Sequence, residues 1–224
     1  MPKITDRFGR PSSGQMPGLV EAIVTDNVDP AELARVRVKF PSLPGPPSGG
    51  DEILSYWARL VMPMAGKERG WVTIPEIGDE VLVAFVHGDF NNAIVIGSLF
   101  NGVDTPPYAN EDKEDNLRVF QSRSGHRVTF DDTKGEERIE LIVFNEEIRI
   151  IWDAKEKVLS VYCGKDIIVE AKETISMKCK DFILKADNSV SIEAGANMDL
   201  KAGSALTAKG GNSMVLTASM TQIN

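Results

Sequence analysis

The chain has few of the residues from which metal sites and disulfide frameworks are built. Its 224 residues include only two histidines, His87 and His126, and two cysteines, Cys163 and Cys179. A structural zinc site needs about four ligands at matched spacings, and a disulfide framework needs several cysteine pairs. We therefore expect no metal site and no cofactor, and we expect both thiols to stay reduced.

A catalytic constellation is also missing. His126 lies close in sequence to Asp131 and Asp132, which would suit a base and its orienting carboxylate, but no nucleophile stands at a defined spacing from them. The sequence favours His126 as a turn residue that bonds backbone groups, and it favours His87 as part of a hairpin at the end of a strand. We therefore predict that the protein is not an enzyme.

Long apolar runs and a basic surface are absent as well. No segment approaches the ~20 apolar residues that span a bilayer, and the first residues lack the apolar region of a secretory signal, so we expect synthesis in a cytoplasm. The formal net charge is −8, from 33 acidic and 25 basic residues. This sign argues against a nucleic-acid partner, which favours a basic surface.

Short β-type runs dominate what is present. LVEAIV, ARVRVKF, YWARLVM, GWVTI, EVLVAFV and AIVIGSL follow one another through residues 18–99, and their lengths predict a small closed or nearly closed β-barrel. The proline-rich stretch PSLPGPPSGGDEILS between the second and third runs predicts a surface loop. Trp57, Trp71 and Trp152 stand inside strand runs and are predicted to be core or subunit-interface anchors.

A second break, NGVDTPPYANEDKEDN at residues 101–116, has the composition of an interdomain linker. The runs HRVTF, RIELIVF, IRIIW and VLSVY follow it, joined by short polar segments that are typical of hairpins. Helical periodicity is almost absent along the chain. The fold class is therefore predicted to be all-β.

From Asp166 onward the sequence repeats in units of about eight residues. Each unit places three apolar or small residues at alternate positions, with charges such as Glu193 and Lys201 between them, as in a strand with one buried face. We predict that these triplets form the core of an assembly. They are Ile167, Val169, Ala171; Ile175, Met177, Cys179; Phe182, Leu184, Ala186; Val190, Ile192, Ala194; Met198, Leu200, Ala202; Leu206, Ala208, Gly210; and Met214, Leu216, Ala218.

Strands this short favour association over a single-chain coil. Three modest side chains offset little of the ordering entropy of eight residues, at ~1–2 kcal/mol each. A monomeric solenoid commonly uses repeats of about 20 residues or more, and a disordered tail would not keep charges off the triplets. We therefore expect three identical chains to wrap one another, with the small third residue of each triplet near the axis, in a shaft on the order of 30 Å long.

The ordered motifs resemble a known family. The segments ARVRVKFP and AGKERGWVTIPEIGDEVLVAFVHGD, then SGHRVTFDD and the octads, are similar to the central spikes of contractile injection machines, namely phage baseplate assembly protein V and the type VI secretion VgrG proteins. The resemblance implies an OB-fold followed by an intertwined trimeric β-helix, or β-prism. It also implies a homotrimeric needle that links a hub to a tip and pierces a target envelope, with transient membrane contact, when a sheath contracts.

On this resemblance we divide the chain into five parts. They are an N-terminal extension that contacts the hub (1–16), an OB-fold domain (17–103), a linker (104–116), a β-hairpin or transition region (117–165) and a triple-stranded β-helix spike (166–224). Only some 16 residues precede the barrel, so the hub is expected to be a separate protein. We expect no lysozyme-like insertion and no iron-binding histidine pair. The expected absence of a fused hub favours a phage tail baseplate or a related particle.

The last octad is predicted to carry a partner. A blunt end would expose strand edges and apolar triplets, so we expect a separate PAAR-type tip protein to cap it. The expected docking residues are Met214, Leu216, Met220, Ile223 and Asn224. The alternative function from the sequence is a trimeric OB-fold module that binds polysaccharide or nucleic acid, with the repeat as its stalk.

Overall fold

The structure is a computed structural model that describes Met16, residues 18–43 and residues 53–220. The chain divides into two compact units, Met1–Ile167 and Ile168–Asn224. Within the described residues the first unit contains all of the strands. The second has none and is treated separately below.

The first unit is built from short strands, and no helix in the described part of the chain is long and apolar enough to cross a membrane. Two 3-10 turns, Val86–Gly88 and Phe144–Glu146, interrupt the strands. The strands are β1 Leu19–Asp26, β2 Arg37–Lys39, β3 Arg59–Leu60, β4 Ala65–Gly66, β5 Arg69–Gly70, β6 Glu80–Phe85, β7 Ala93–Ser98, β8 Leu117–Gln121, β9 Arg127–Asp131, β10 Arg138–Ile142, β11 Ile148–Asp153 and β12 Val158–Cys163.

The first sheet closes on itself. Its order is β2-β1-β6-β7-β3, with β3 parallel to β7 and the other pairs antiparallel. A bridge between Val36 and Ala58 then joins the start of β2 to the residue before β3. The predicted barrel is therefore confirmed as a closed one.

Alternating residues fill this barrel. In β6 every second side chain is buried, because successive side chains of a strand point to opposite faces. The largest fully buried side chains are all valines, whose branched shape packs well in strands. They are Val24, Val36, Val38, Val81 and Val83.

The second sheet is an antiparallel meander in the order β12-β11-β10-β9-β8. The four predicted runs after residue 116 form β9 to β12. The sequence prediction missed β8, which pairs with β9 along its whole length, from Leu117 opposite Asp131 to Gln121 opposite Arg127. The all-β class is confirmed.

Two sequence predictions fail inside the first unit. GWVTI is not a strand beyond Gly70. Trp71 is 52% exposed and Trp152 41% exposed, so neither indole lies in the core of a single chain, and their alternative role as subunit-interface anchors stays a prediction. The predicted surface loop also ends earlier than expected, because Ser55 is buried and its Oγ accepts the N–H of Val38 at 3.0 Å. Residues 44–52 of that loop lie outside the described residues.

Candidate assembly surface

The predicted triplet residues all lie at the surface of the chain. Every residue from 164 to 220 is exposed, although the triplets contain most of the large apolar side chains of this stretch. The larger ones keep between 47% (Met198) and 71% (Leu216) of their surface accessible. So much exposed apolar surface is unusual in a protein that works as a single chain, and it indicates a surface for association.

The eight-residue period of the sequence is also a period of the backbone. In the second unit the chain has no assigned secondary structure other than bends at 172–173, 180, 187–188, 195–196, 203–204, 211–212 and 219. Each bend falls between two triplets or just after the last one. The residues between triplets, which are polar or small, therefore make the bends, and each triplet occupies a segment between bends.

The segments between bends pair with no strand in the described part of the chain. Among residues 168–220 the structure shows neither strand pairing nor a backbone hydrogen bond. Extended backbone carries one donor and one acceptor per residue, which a folded protein pairs with another strand or leaves to water. Each segment is therefore free to pair with strands from other chains.

One turn between triplets is shorter than the others. Three residues separate successive triplets everywhere except between Cys179 and Phe182, where only Lys180 and Asp181 intervene. The bend at this point is confined to residue 180. The repeat thus contains one unit of seven residues, and both triplets keep their alternation because the missing residue lies in the turn.

The third triplet position has a local reason to be small in one unit. A Cβ added to Gly210 would collide with the backbone carbonyl of Ser213. No side-chain rotation relieves a clash with backbone. The turn that follows therefore requires glycine at this position. The sequence analysis gave another reason for a small third residue, namely its place near the axis.

The predicted tip-docking residues are placed only in part. Met214, Leu216 and Met220 are exposed, by 60%, 71% and 83%. Ile223 and Asn224 lie outside the described residues. The placed members are therefore exposed apolar side chains near the end of the described chain, with Met220 just after the last bend.

The two histidines have the roles of turn residues. His126 Nδ1 accepts the backbone N–H of Phe144 at 3.1 Å, and the backbone N–H of His126 donates to Ser122 Oγ at 3.2 Å. His87 adopts a φ of 52° within the turn that joins β6 to β7. Both assignments are confirmed. Among the described residues no group of three or more His, Cys, Asp or Glu side chains is placed to hold a metal ion.

A contact between the two sheets was not foreseen from the sequence. The ring of Trp71 stands edge-on to that of Phe120 at 6.1 Å between centroids, and Arg123 pairs with Glu76 at 2.7 Å. All four side chains are largely exposed, so these contacts stabilise the first unit only modestly. The sequence shows an aromatic residue in each of the two segments, but no feature of its pattern pairs Trp71 with Phe120.

Comparison with known proteins agrees with this architecture. Residues 20–100 match the family described as the type VI secretion system and phage-baseplate injector OB domain. This range contains the closed barrel, from β1 to β7. The repeat lies outside the match.

Curated relatives extend the similarity beyond the barrel. The chain is 30% identical over 148 residues to the actin cross-linking toxin VgrG1 of Vibrio cholerae, a match that covers 57% of this chain and 13% of that protein. It is 31% identical over 138 residues to the type VI secretion system spike protein VgrG3 of Vibrio cholerae, covering 60% of this chain and 12% of the relative.

A further relative is the type VI secretion system spike protein VgrG2a of Pseudomonas aeruginosa. It is 37% identical over 78 residues, which is 35% of this chain and 9% of the relative. The chain thus spans about an eighth of the length of the first two relatives. Residues 20–100 therefore match the injector OB domain of type VI secretion systems and phage baseplates, and the chain is similar to VgrG spike proteins in the part that it shares with them.

Proposed function

We propose that the chain is a structural, non-enzymatic spike subunit that acts as a homotrimer. Three copies of residues 166–224 wrap one another as a triple-stranded β-helix, and the injector OB domains lie at the hub end. The spike pierces a target envelope when a sheath contracts. The particle is a phage tail baseplate or a related machine, assembled from protein made in the bacterial cytoplasm.

One observation carries this proposal. The second unit bends once per repeat, is exposed along its whole described length and makes no strand pair or backbone hydrogen bond with the described residues. Such a segment is stabilised when strands of other copies accept its hydrogen bonds and cover its triplets. A closed symmetric assembly satisfies every copy in the same way, and three is the number that the family resemblance implies.

The partners follow from the two ends of the trimer. A separate hub protein contacts residues 1–16 and the OB domain, and a PAAR-type tip protein covers the apolar residues from Met214 to Asn224. The target membrane is a transient contact. The spike names of the relatives support this assignment, and the exposure of Met214, Leu216 and Met220 supports a capped end.

A matched pair of substitutions tests the trimer. Ala202→Glu brings three carboxylates together near the axis, where burial makes charge repulsion severe, and it should abolish assembly. Thr207→Glu adds the same charge on the opposite face of a neighbouring strand and should be tolerated. The mass of each variant by light scattering after gel filtration decides the outcome. An Ala202→Glu variant that remains a trimer would show that the assigned register is wrong.

A further inference from the structure

A cavity of about 430 Å³ opens on the barrel, where loops from different strands converge. One wall comes from the connection between β1 and β2, one from β3 and the residues before it, and one from the loop between β6 and β7. OB-fold proteins bind oligonucleotides or oligosaccharides with the corresponding loops and the neighbouring strand face. The cavity is lined chiefly by Leu33, Arg35, Trp57, Arg59, Asn91 and Asn92.

One side of the cavity is held rigid by an ion pair. Arg35 donates from Nε and from a terminal nitrogen to the two carboxylate oxygens of Asp29, each at 2.7 Å. Asp29 also accepts the backbone N–H groups of Ala31, Leu33 and Arg35, so its carboxylate is fully engaged. The guanidinium plane of Arg35 is thereby held in place, with its other terminal nitrogen left for a ligand.

A second cation in the cavity has no partner among the residues that the structure describes. Arg59 is exposed, and no ion pair or hydrogen bond engages its guanidinium among the described residues. No acidic side chain lines the cavity in the part of the chain that the structure describes. In a protein whose net charge is −8, this is a local positive site.

The remaining lining combines an aromatic surface with free amides. Trp57 is half-buried and Leu33 is exposed, so the cavity has an apolar wall. The side-chain amides of Asn91 and Asn92 make no hydrogen bond to described residues, and their backbones are fixed by Asp89, which accepts the N–H of each. An amide both donates and accepts, as recognition of a hydroxyl group requires.

We propose that this cavity binds an acidic saccharide, with its carboxylate on Arg59 and Arg35, its ring against Trp57 and its hydroxyl groups on Asn91 and Asn92. Guanidinium groups match carboxylates in geometry as well as charge. A single-stranded nucleic acid would instead favour several stacked aromatic side chains along a basic groove, and the cavity has one. The site lies within one protomer and does not depend on the proposed trimer.

Calorimetric titration of the full chain with tetragalacturonic acid tests the proposal. We expect saturable binding that weakens with salt, and no binding of the same tetrasaccharide with its carboxylates esterified. Arg59→Gln should lower the affinity about tenfold or more, because it removes a charge-assisted contact. Asn91→Asp, an exposed change that adds a repelling charge, should abolish binding. Arg118→Gln, on β8 and outside the cavity, is the matched control.

Three results would overturn the proposal. They are no heat of binding, equal binding of the esterified saccharide, and unchanged affinity in both cavity variants when circular dichroism shows native secondary structure. Oligothymidylate that binds in place of tetragalacturonate would also overturn it, in favour of a nucleic-acid site.

Discussion

At the scale of single residues, Asp29 determines the shape of the connection from β1 to β2. Its side chain is only 2% exposed and receives the bidentate pair from Arg35 together with three backbone amides. The contact with Arg35 holds the pKa of Asp29 well below its usual value of 3.8, against the burial that would raise it, and the amides add to the effect. Glu32 and Ala34 adopt positive φ in this loop, a conformation that these hydrogen bonds stabilise.

The lowered pKa predicts how the loop responds to acid. A carboxyl whose pKa is lower in the folded state stabilises that state above its ordinary pKa, and the contribution is lost as the pH falls through the folded value. We expect hydrogen-exchange protection of the amides of Leu33 and Arg35 to persist well below pH 3.8, the ordinary pKa of the carboxyl. Asp29→Asn should lower this protection and make it insensitive to acid, while Asp104→Asn should leave it unchanged. An Asp29→Asn variant with the native acid profile would contradict the assignment.

At the scale of elements, some strands could be predicted and others could not. Those with clear alternation, such as EVLVAFV, were predicted because one face is buried. β8 was missed because Leu117 follows an acidic, turn-forming segment directly, and because Phe120, on the exposed face with Arg118, breaks the alternation of apolar and polar residues. GWVTI has the residue types of a strand. The N–H of Trp71 donates to Met64 O at 2.9 Å, but beyond this hydrogen bond no described strand pairs with the segment.

The same contrast holds for the candidate sites. The triplets could be recognised from the sequence because alternation and an eight-residue period are properties of the linear chain. The cavity on the barrel could not be recognised, because Arg35, Trp57 and Asn91 come from three separate segments that only the closed barrel brings together. No spacing rule connects them.

The seven-residue unit yields a prediction about turns. Inserting one serine between Lys180 and Asp181 gives this turn the three residues found in the other turns, so the triplets keep their faces and the trimer should persist. Inserting one serine between Ile192 and Glu193 moves Glu193 to the inward face, because side chains alternate along a strand. That variant should fail to assemble by light scattering. Equal behaviour of the two insertions would rule out strand alternation as the basis of the repeat.

At the scale of the whole molecule, the exposed end of the described chain predicts a binary complex. Mixing the purified protein with a PAAR-type tip protein should give a co-eluting species in gel filtration, because the apolar surface of Met220, which lies outside the triplets, leaves water on contact. Met220→Asp should abolish the complex, and Thr217→Asp, on the outer face of the last octad, should not. Co-elution that survives Met220→Asp would place the tip elsewhere.

The unpaired octads also affect how fast the proposed assembly forms and dissociates. The first unit has a core within its own chain, whereas in the proposed trimer the second is completed only by other copies, so we expect the rate of maturation to rise with protein concentration. In such an interwoven trimer a strand leaves only when many shared bonds open together, and we expect that barrier to set the lifetime of the assembly. Formation should then be slow in dilute solution and reversal slower still, as suits a part that is assembled once and used once.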